Sequence, residues 1–128
     1  MRALLDTHVL LWWLLDDPAL SPPADAAISD SSNEVVVSAA TTWEIAIKYK
    51  QGRLPTAGPF MADFEGAIAA EGFTPLSISI AHGERAGMLP LHHRDPFDRV
   101  LIAQALAEGL TLVSNERLFD RYGVARLW

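Results

Sequence analysis

The sequence predicts an α/β domain with a central, mostly parallel sheet flanked by helices. Short apolar segments, such as residues 2–5, 34–38 and 110–113, alternate along the chain with segments of helical periodicity. Parallel strands need crossover connections, which are usually helices, so this alternation favours a parallel sheet that is covered on both faces. The 128 residues suffice for one core, and no repeat or linker interrupts them, so we expect a single domain over residues 1–128.

The first half of the chain contains two predicted strands and three predicted helices. Asp16-Asp17-Pro18 ends the first helix, Ser21 caps the second and Gly52 ends the third. The central strand signal is Val35-Val36-Val37. In order, the expected elements are strand 2–5, helix 8–15, helix 22–28, strand 34–38 and helix 41–51.

The second half of the chain continues the alternation after a loop at residues 53–59. Glycines at 72 and 109 are typical helix ends, and Asp95-Pro96 is a typical helix start, with Asp95 as the N-cap. In order, the expected elements are helix 60–71, strand 74–78, helix 80–88, an extended connection at 89–93, helix 96–108, strand 110–113, a short helix carrying Leu118 and Phe119, and an edge strand at 124–127.

The composition excludes several classes of protein. There is no cysteine, which rules out a disulfide framework and a thiolate metal site and agrees with a cytoplasmic location. The apolar run at residues 9–15 is too short to cross a bilayer and lacks the features of a secretory signal, so we expect no membrane contact. A net charge of −6 argues against a broad basic surface for nucleic acid. Any bound polyanion must therefore meet local positive charge, a metal ion or a partner chain.

Acidic residues follow or begin several of the predicted elements. Asp6 and Glu116 come just after strands, where the carboxyl ends of parallel strands share one edge of a sheet. Each acid also has an ordinary structural explanation. Asp6 suits a turn, Glu44 can pair with Lys48 one helical turn later, Asp95 and Asp98 favour a helix start, and Glu116 lies in the first turn of a short helix that Ser114 caps.

If these acids converge, a positive charge has to accompany them. Two carboxylates about 6 Å apart repel by roughly 3 kcal/mol at an effective dielectric constant near 20. Shared protons or a divalent cation would relieve this repulsion, and oxygen ligands without cysteine favour Mg²⁺ or Mn²⁺ over Zn²⁺. A histidine zinc site is disfavoured because the adjacent His92 and His93 cannot easily face one ion, so both are expected in a solvated loop. No phosphate-binding loop, dinucleotide fingerprint or nucleophile elbow is present.

Four segments in order, LLDTHVLLWWL, VSAATTWEIAIKYKQGRL, LPLHHRDPFDRVLIAQA and TLVSNERLF, resemble the PIN domains of VapC-type toxins from bacterial toxin-antitoxin pairs. The likeness runs nearly end to end. It implies a small α/β fold, a metal-dependent endoribonuclease activity, a homodimer and a cognate antitoxin that blocks the site. The family's acids fall on Asp6, Glu44 and Asp98, with Asp95 as a helper, and Glu116 stands where aspartate is more usual.

The resemblance implies hydrolysis of an RNA phosphodiester bond by a metal-activated water. Asp6, Glu44, Asp98 and Glu116 are then the catalytic and metal-binding acids, with Asp95 as a further metal ligand or only the helix cap. Thr7 and Ser114 are candidates for orienting water or phosphate. The basic candidates for the RNA backbone are Arg94, Arg99 and Lys48.

Three alternatives remain open at the level of sequence. A phospho-acceptor receiver also places acids at strand ends, but the segments after residues 37 and 113 supply neither its acceptor aspartate nor its lysine. Another Mg²⁺-dependent enzyme, either a DNA nuclease or a phosphohydrolase, could use the same acids. A catalytically weak PIN-like protein kept for partner binding is the third, since Glu116 departs from the usual aspartate.

Overall fold

A five-stranded sheet, parallel throughout, forms the centre of the computed structural model, which describes all 128 residues. The strand order is β3-β2-β1-β4-β5 and every neighbouring pair is parallel. The predicted α/β class is therefore confirmed, and the C-terminal strand lies at an edge as expected. The strands are β1 (Arg2–Leu5), β2 (Glu34–Ser38), β3 (Thr74–Leu76), β4 (Thr111–Val113) and β5 (Arg126–Leu127).

Helices cover both faces of the sheet. They are α1 (Thr7–Leu14), α2 (Pro22–Ser29), α3 (Ala39–Lys50), α4 (Gly58–Met61), α5 (Phe64–Ala70), α6 (Ile80–Met88) and α7 (Pro96–Glu108), with two 3₁₀ helices at Pro55–Ala57 and Arg117–Tyr122. None of these helices combines the length and the apolar character that crossing a bilayer would need.

The side chains of β1 alternate between two apolar cores. Ala3 and Leu5 pack in one core with residues of α1, α2 and α5, whereas Leu4 packs in the other with residues of α7. Successive side chains of a strand point to opposite faces, so a continuous apolar run is what a sheet covered on both faces requires. The two cores fix β1 in the middle of the sheet, where its end lies beside the ends of β2 and β4.

Side-chain capping moves several helix boundaries away from the predicted ones. Helix α1 begins at Thr7 because Asp6 caps it, and α3 begins at Ala39 because Ser38 accepts a hydrogen bond from the Ala40 N–H. The prediction of one helix over residues 60–71 is wrong, because Asp63 caps a separate helix by accepting from the Gly66 N–H. Residues 53–59, expected as a loop, include the first 3₁₀ helix and the start of α4. Strands β3, β4 and β5 are shorter than expected.

Candidate active site

A cavity of about 300 Å³ opens beside the carboxyl end of β1. All of the sequence-predicted acids line it, although they come from four separate parts of the chain. The parallel sheet and the start of α7 bring them together. The lining residues are Asp6, His8, Trp12, Glu44, Lys48, Asp95, Asp98, Asn115 and Glu116.

Asp6 is almost fully buried, with 5% of its surface exposed, and both of its carboxylate oxygens are held. The Thr7 N–H donates to Oδ1 at 2.7 Å, and the Ser114 hydroxyl donates to Oδ2 at 2.7 Å. Burial raises the pKa of the Asp6 carboxyl above its ordinary value, in spite of the lowering effect of the Ser114 hydrogen bond. Ser114 therefore orients a carboxylate in this structure, whereas the sequence suggested that it orients water or phosphate.

Glu44 is buried to the same extent and carries two donors of its own. The Thr7 hydroxyl donates to Oε1 at 2.7 Å, and Lys48 Nζ lies 2.7 Å from Oε2. The expected pair one helical turn apart is thus present, but it lies in the cavity wall instead of on an exposed helix face. The Lys48 ammonium group offsets the negative charge of Glu44 and is not free to bind another anion. The hydroxyl groups of Thr7 and Ser114 each donate to a carboxylate of the cluster.

Asp95 and Asp98 mark the first turn of α7, and their roles differ. Asp95 Oδ1 accepts hydrogen bonds from the backbone N–H groups of Phe97 and Asp98, at 2.9 and 3.1 Å, which is the predicted N-cap. Burial raises the pKa of Asp98 to about 8, reinforced by the negative charges of the other four acids. The negative charges of the whole cluster therefore disfavour the ionised form of Asp98.

Glu116 also lines the cavity, and it caps the second 3₁₀ helix. Its Oε1 accepts from the Leu118 N–H at 3.1 Å, while its own N–H donates to Ser114 Oγ at 3.0 Å. The expectation that Ser114 caps this helix is therefore wrong, because the helix begins at Arg117 and Glu116 is its N-cap. Glu116 Oε2 makes no hydrogen bond within the protein and remains open to a ligand.

Arg99 does not take the RNA-contacting role that the sequence suggested. Only 8% of its surface is exposed, and its guanidinium donates to backbone carbonyls at the end of α6 and in the connection to α7. Because both Nη1 and Nη2 donate to the protein itself, Arg99 fixes the connection that leads into Asp95. The accepting carbonyls belong to Ala86, Gly87, Leu89, Pro90 and His93, at 2.8 to 3.4 Å. Arg94, in contrast, is exposed and makes no hydrogen bond or ion pair through its side chain.

His93 contacts the acidic cluster, which sequence reasoning missed. The adjacent histidines were expected to share a solvated loop, but only His92 is exposed. The side chain of His93 is 14% exposed, and its Nε2 lies 2.9 Å from Asp98 Oδ2. Its position two residues before the Asp95 cap is the one signal in the sequence that could have indicated this contact.

The five carboxylates of the cavity have the ligand chemistry that a hard divalent cation prefers. All five offer oxygen ligands. Burial, reinforced by the charges of neighbouring acids, raises the pKa of both Asp6 and Asp98, so a cation would stabilise their ionised forms. They line one cavity without three of them already converging on a single point at ligand distance. Binding therefore requires the side chains to draw together around the ion.

The raised pKa of Asp98 predicts an unusual dependence of stability on pH in chelator. Below pH 3.8, the ordinary value of the unfolded chain, both states hold the proton and its full stabilising contribution is present. As the pH rises towards about 8, the folded protein keeps a proton that the unfolded chain has released, so this contribution is lost. Asp98→Asn removes the effect. We expect it to raise the melting temperature at pH 8 by about 5 °C over wild type, and by little near pH 4.

Differential scanning calorimetry across this pH range measures the effect, with Asp25→Asn in α2 as the matched loss of an exposed acid. Equal stability of wild type and Asp98→Asn at pH 8 would contradict the prediction.

A family model for the PIN domain matches residues 3–125. The chain belongs to the PIN-domain family. This PIN domain is 32% identical over 115 residues to Ribonuclease VapC22 of Mycobacterium tuberculosis, an alignment that covers 89% of this chain and 86% of that protein. A shorter match, 39% identical over 57 residues and covering 44% of this chain and 40% of the relative, is to Ribonuclease VapC16 of the same organism. The resemblance to VapC-type PIN domains that the sequence motifs carry is therefore confirmed.

Solved structures share the fold of this PIN domain along its whole length. VapBC2 from Rickettsia felis, bound to a DNA fragment from its promoter, superposes with a TM-score of 0.72 and 16% identity, covering 100% of this chain and 99% of that one. FitAcB from Neisseria gonorrhoeae gives a TM-score of 0.65 with 17% identity, covering 98% and 96% of the two chains. At these identities the likeness establishes the fold.

Proposed function

We propose that this PIN domain is a metal-dependent endoribonuclease and the toxin of a toxin-antitoxin pair. The observation that carries the proposal is the convergence of five carboxylates on one cavity, where Asp98 has a pKa of about 8. Such crowding destabilises a metal-free protein, and perturbed acids in a cleft are typical of functional sites. The names of the VapC relatives, both ribonucleases, support RNA as the substrate.

The proposed reaction is hydrolysis of an RNA phosphodiester bond. One or two Mg²⁺ or Mn²⁺ ions would polarise the phosphate, acidify the attacking water and stabilise the leaving oxygen. Asp6, Glu44 and Asp98 would hold the metal, and Glu116 would complete the set through its free oxygen. Thr7 and Ser114 keep the first two carboxylates aimed into the cavity through their hydroxyl groups.

Positive charge for the RNA backbone is scarce in this chain. Lys48 pairs with Glu44, and Arg99 donates to carbonyl groups of the protein. Of the basic residues that the sequence suggested, this leaves exposed Arg94, which precedes Asp95 in the chain. With a net charge of −6, RNA binding by one subunit is weak until metal or a second subunit adds positive charge.

The proposal includes two protein partners. A cognate antitoxin is supported by the solved VapBC2 and FitAcB structures, whose names describe complexes of this kind.

A homodimer is supported by large apolar side chains left exposed around α6, where Ile80 is 93% exposed and Met88 and Leu91 are each 81% exposed. Light scattering on the purified protein checks the dimer, and Ile80→Asp should convert it to a monomer.

Cleavage of structured RNA tests the proposed reaction and separates it from the alternatives. We expect cleavage in Mg²⁺ or Mn²⁺, loss of at least 100-fold in rate with chelator, and recovery when the metal is restored, because water activation at neutral pH depends on the ion. Gel analysis of a substrate with 2′-O-methyl riboses should still reveal cleavage, since a water rather than the neighbouring hydroxyl attacks.

Two parallel substrates serve as controls for the RNA assay. DNA of the same sequence tests the DNA-nuclease alternative, and p-nitrophenyl phosphate tests the phosphohydrolase. RNA cleavage that survives chelation would contradict the metal-dependent mechanism, and intact RNA in every metal would favour the partner-binding alternative.

A further inference from the structure

We infer that His93 is a positioning residue, which holds the Asp98 carboxylate in the orientation that ligates the metal. The inference rests on the proposed function, since it assigns a role towards the same metal. It starts from the contact of 2.9 Å between His93 Nε2 and Asp98 Oδ2. The other four acids of the cavity each accept hydrogen bonds from donors of their own, and His93 is the group that the structure places against the Asp98 carboxylate.

The imidazole ring of His93 is held from several directions. The ring stacks on Phe119 with centroids 5.6 Å apart and an angle of 27° between the planes. Its backbone N–H donates to the Tyr122 hydroxyl at 2.7 Å, and its carbonyl accepts from Arg99 at 3.1 Å. These contacts restrict both the backbone and the ring, so Nε2 has a defined position beside α7.

The hydrogen bonds of the His93 ring determine which of its two nitrogen atoms carries the proton. Nδ1 accepts a hydrogen bond from the Asp95 N–H at 3.2 Å, so its lone pair is in use. A neutral imidazole with Nδ1 as acceptor carries its proton on Nε2. Nε2 is therefore the nitrogen that carries the proton, and it lies 2.9 Å from Asp98 Oδ2.

Comparison of the carboxylates explains why such a donor matters. Thr7 and Ser114 hold Asp6, Thr7 and Lys48 hold Glu44, and backbone N–H groups hold Asp95 and Glu116. The Asp98 carboxylate has no hydrogen bond from these groups, and its Oδ1 is left free for a cation. Partners that orient ligand side chains commonly contribute 10- to 100-fold to metal affinity.

Three variants separate positioning from stability. His93→Phe keeps an aromatic ring against Phe119 but removes both ring nitrogens. His93→Gln restores a donor near the place of Nε2. His92→Phe is the matched control, because His92 packs on Tyr122 with centroids 5.2 Å apart and makes no contact with the acids.

Binding of Mn²⁺ in the absence of RNA, followed by electron paramagnetic resonance, is the main readout. We expect His93→Phe to weaken Mn²⁺ affinity by about 10- to 100-fold, His93→Gln to recover a large part of the loss, and His92→Phe to bind like wild type. Melting temperatures of all variants, taken in chelator, identify any loss of folding. In the metal-free wild type, long-range proton–nitrogen correlation spectra should assign the His93 proton to Nε2.

The outcomes separate this inference from the proposed function. If wild type binds Mn²⁺ and folded His93→Phe binds it equally well, the positioning role is wrong, and a proton found on Nδ1 would overturn it too. If wild type itself binds no Mn²⁺, the proposed metal-dependent function is wrong, and the role of His93 towards a metal fails with it.

Discussion

Asp6→Asn should lower the rate of RNA cleavage by at least 100-fold while the protein remains folded. Asparagine has the same shape and keeps an oxygen for the Thr7 N–H, and the Ser114 hydroxyl can turn to accept from the new amide. What is lost is a negatively charged metal ligand at the end of β1. Each 1.36 kcal/mol of lost transition-state stabilisation costs a factor of ten, so loss of about 3 kcal/mol produces the expected change.

Single-turnover cleavage with saturating protein measures this effect free of product release, and thermal melting of the variant confirms the fold. Asp25→Asn is the matched control, because it removes the same charge from an exposed position of α2 outside the cavity. Its rate should match that of wild type. Retention of more than a tenth of the activity by Asp6→Asn would count against Asp6 as a ligand.

Arg99→Met should produce the largest loss of stability among single substitutions near the site. Methionine keeps part of the side-chain volume, but it removes the donors that Arg99 supplies to the carbonyls of buried Ala86 and half-buried Leu89. An unsatisfied buried acceptor costs about 1–3 kcal/mol, so with both of them we expect a loss of about 3–5 kcal/mol in the free energy of unfolding. In a domain of this size the melting temperature should fall by more than about 10 °C.

Urea denaturation measures the stability of the Arg99 variant against Arg94→Met. Arg94 is exposed and its side chain has no partner within the protein, so its replacement should change stability by no more than about 0.5 kcal/mol and act on RNA binding instead. If the two variants unfolded at the same urea concentration, the structural role of Arg99 would be refuted.

The helices and strands that hold the site could be predicted from the sequence more accurately than the contacts between their side chains. Asp6 after a strand and Asp98 in the first turn of a helix were recognisable, because strand ends and helix starts have local sequence signals. The break between α4 and α5 was missed because the Asp63 cap lies inside a continuous apolar period. The lengths of the shorter strands depend on pairing with neighbours and could not be read from a single segment.

Two pairs of residues illustrate which side-chain environments could not be predicted from the sequence. Arg94 and Arg99 have the same chemistry, yet one faces solvent and the other binds carbonyls of the protein. His92 and His93 are adjacent and identical, yet only His93 reaches Asp98. Nothing local distinguishes the members of either pair.

The sequence by itself determined the α/β class, the family and the identity of the acids, because periodicity, capping and motif order are properties of short segments. Only the tertiary structure decided which hydroxyl, lysine or histidine serves each carboxylate. Those contacts join residues up to 108 positions apart, as between Asp6 and Ser114, and they follow from the packing of the parallel sheet against its helices.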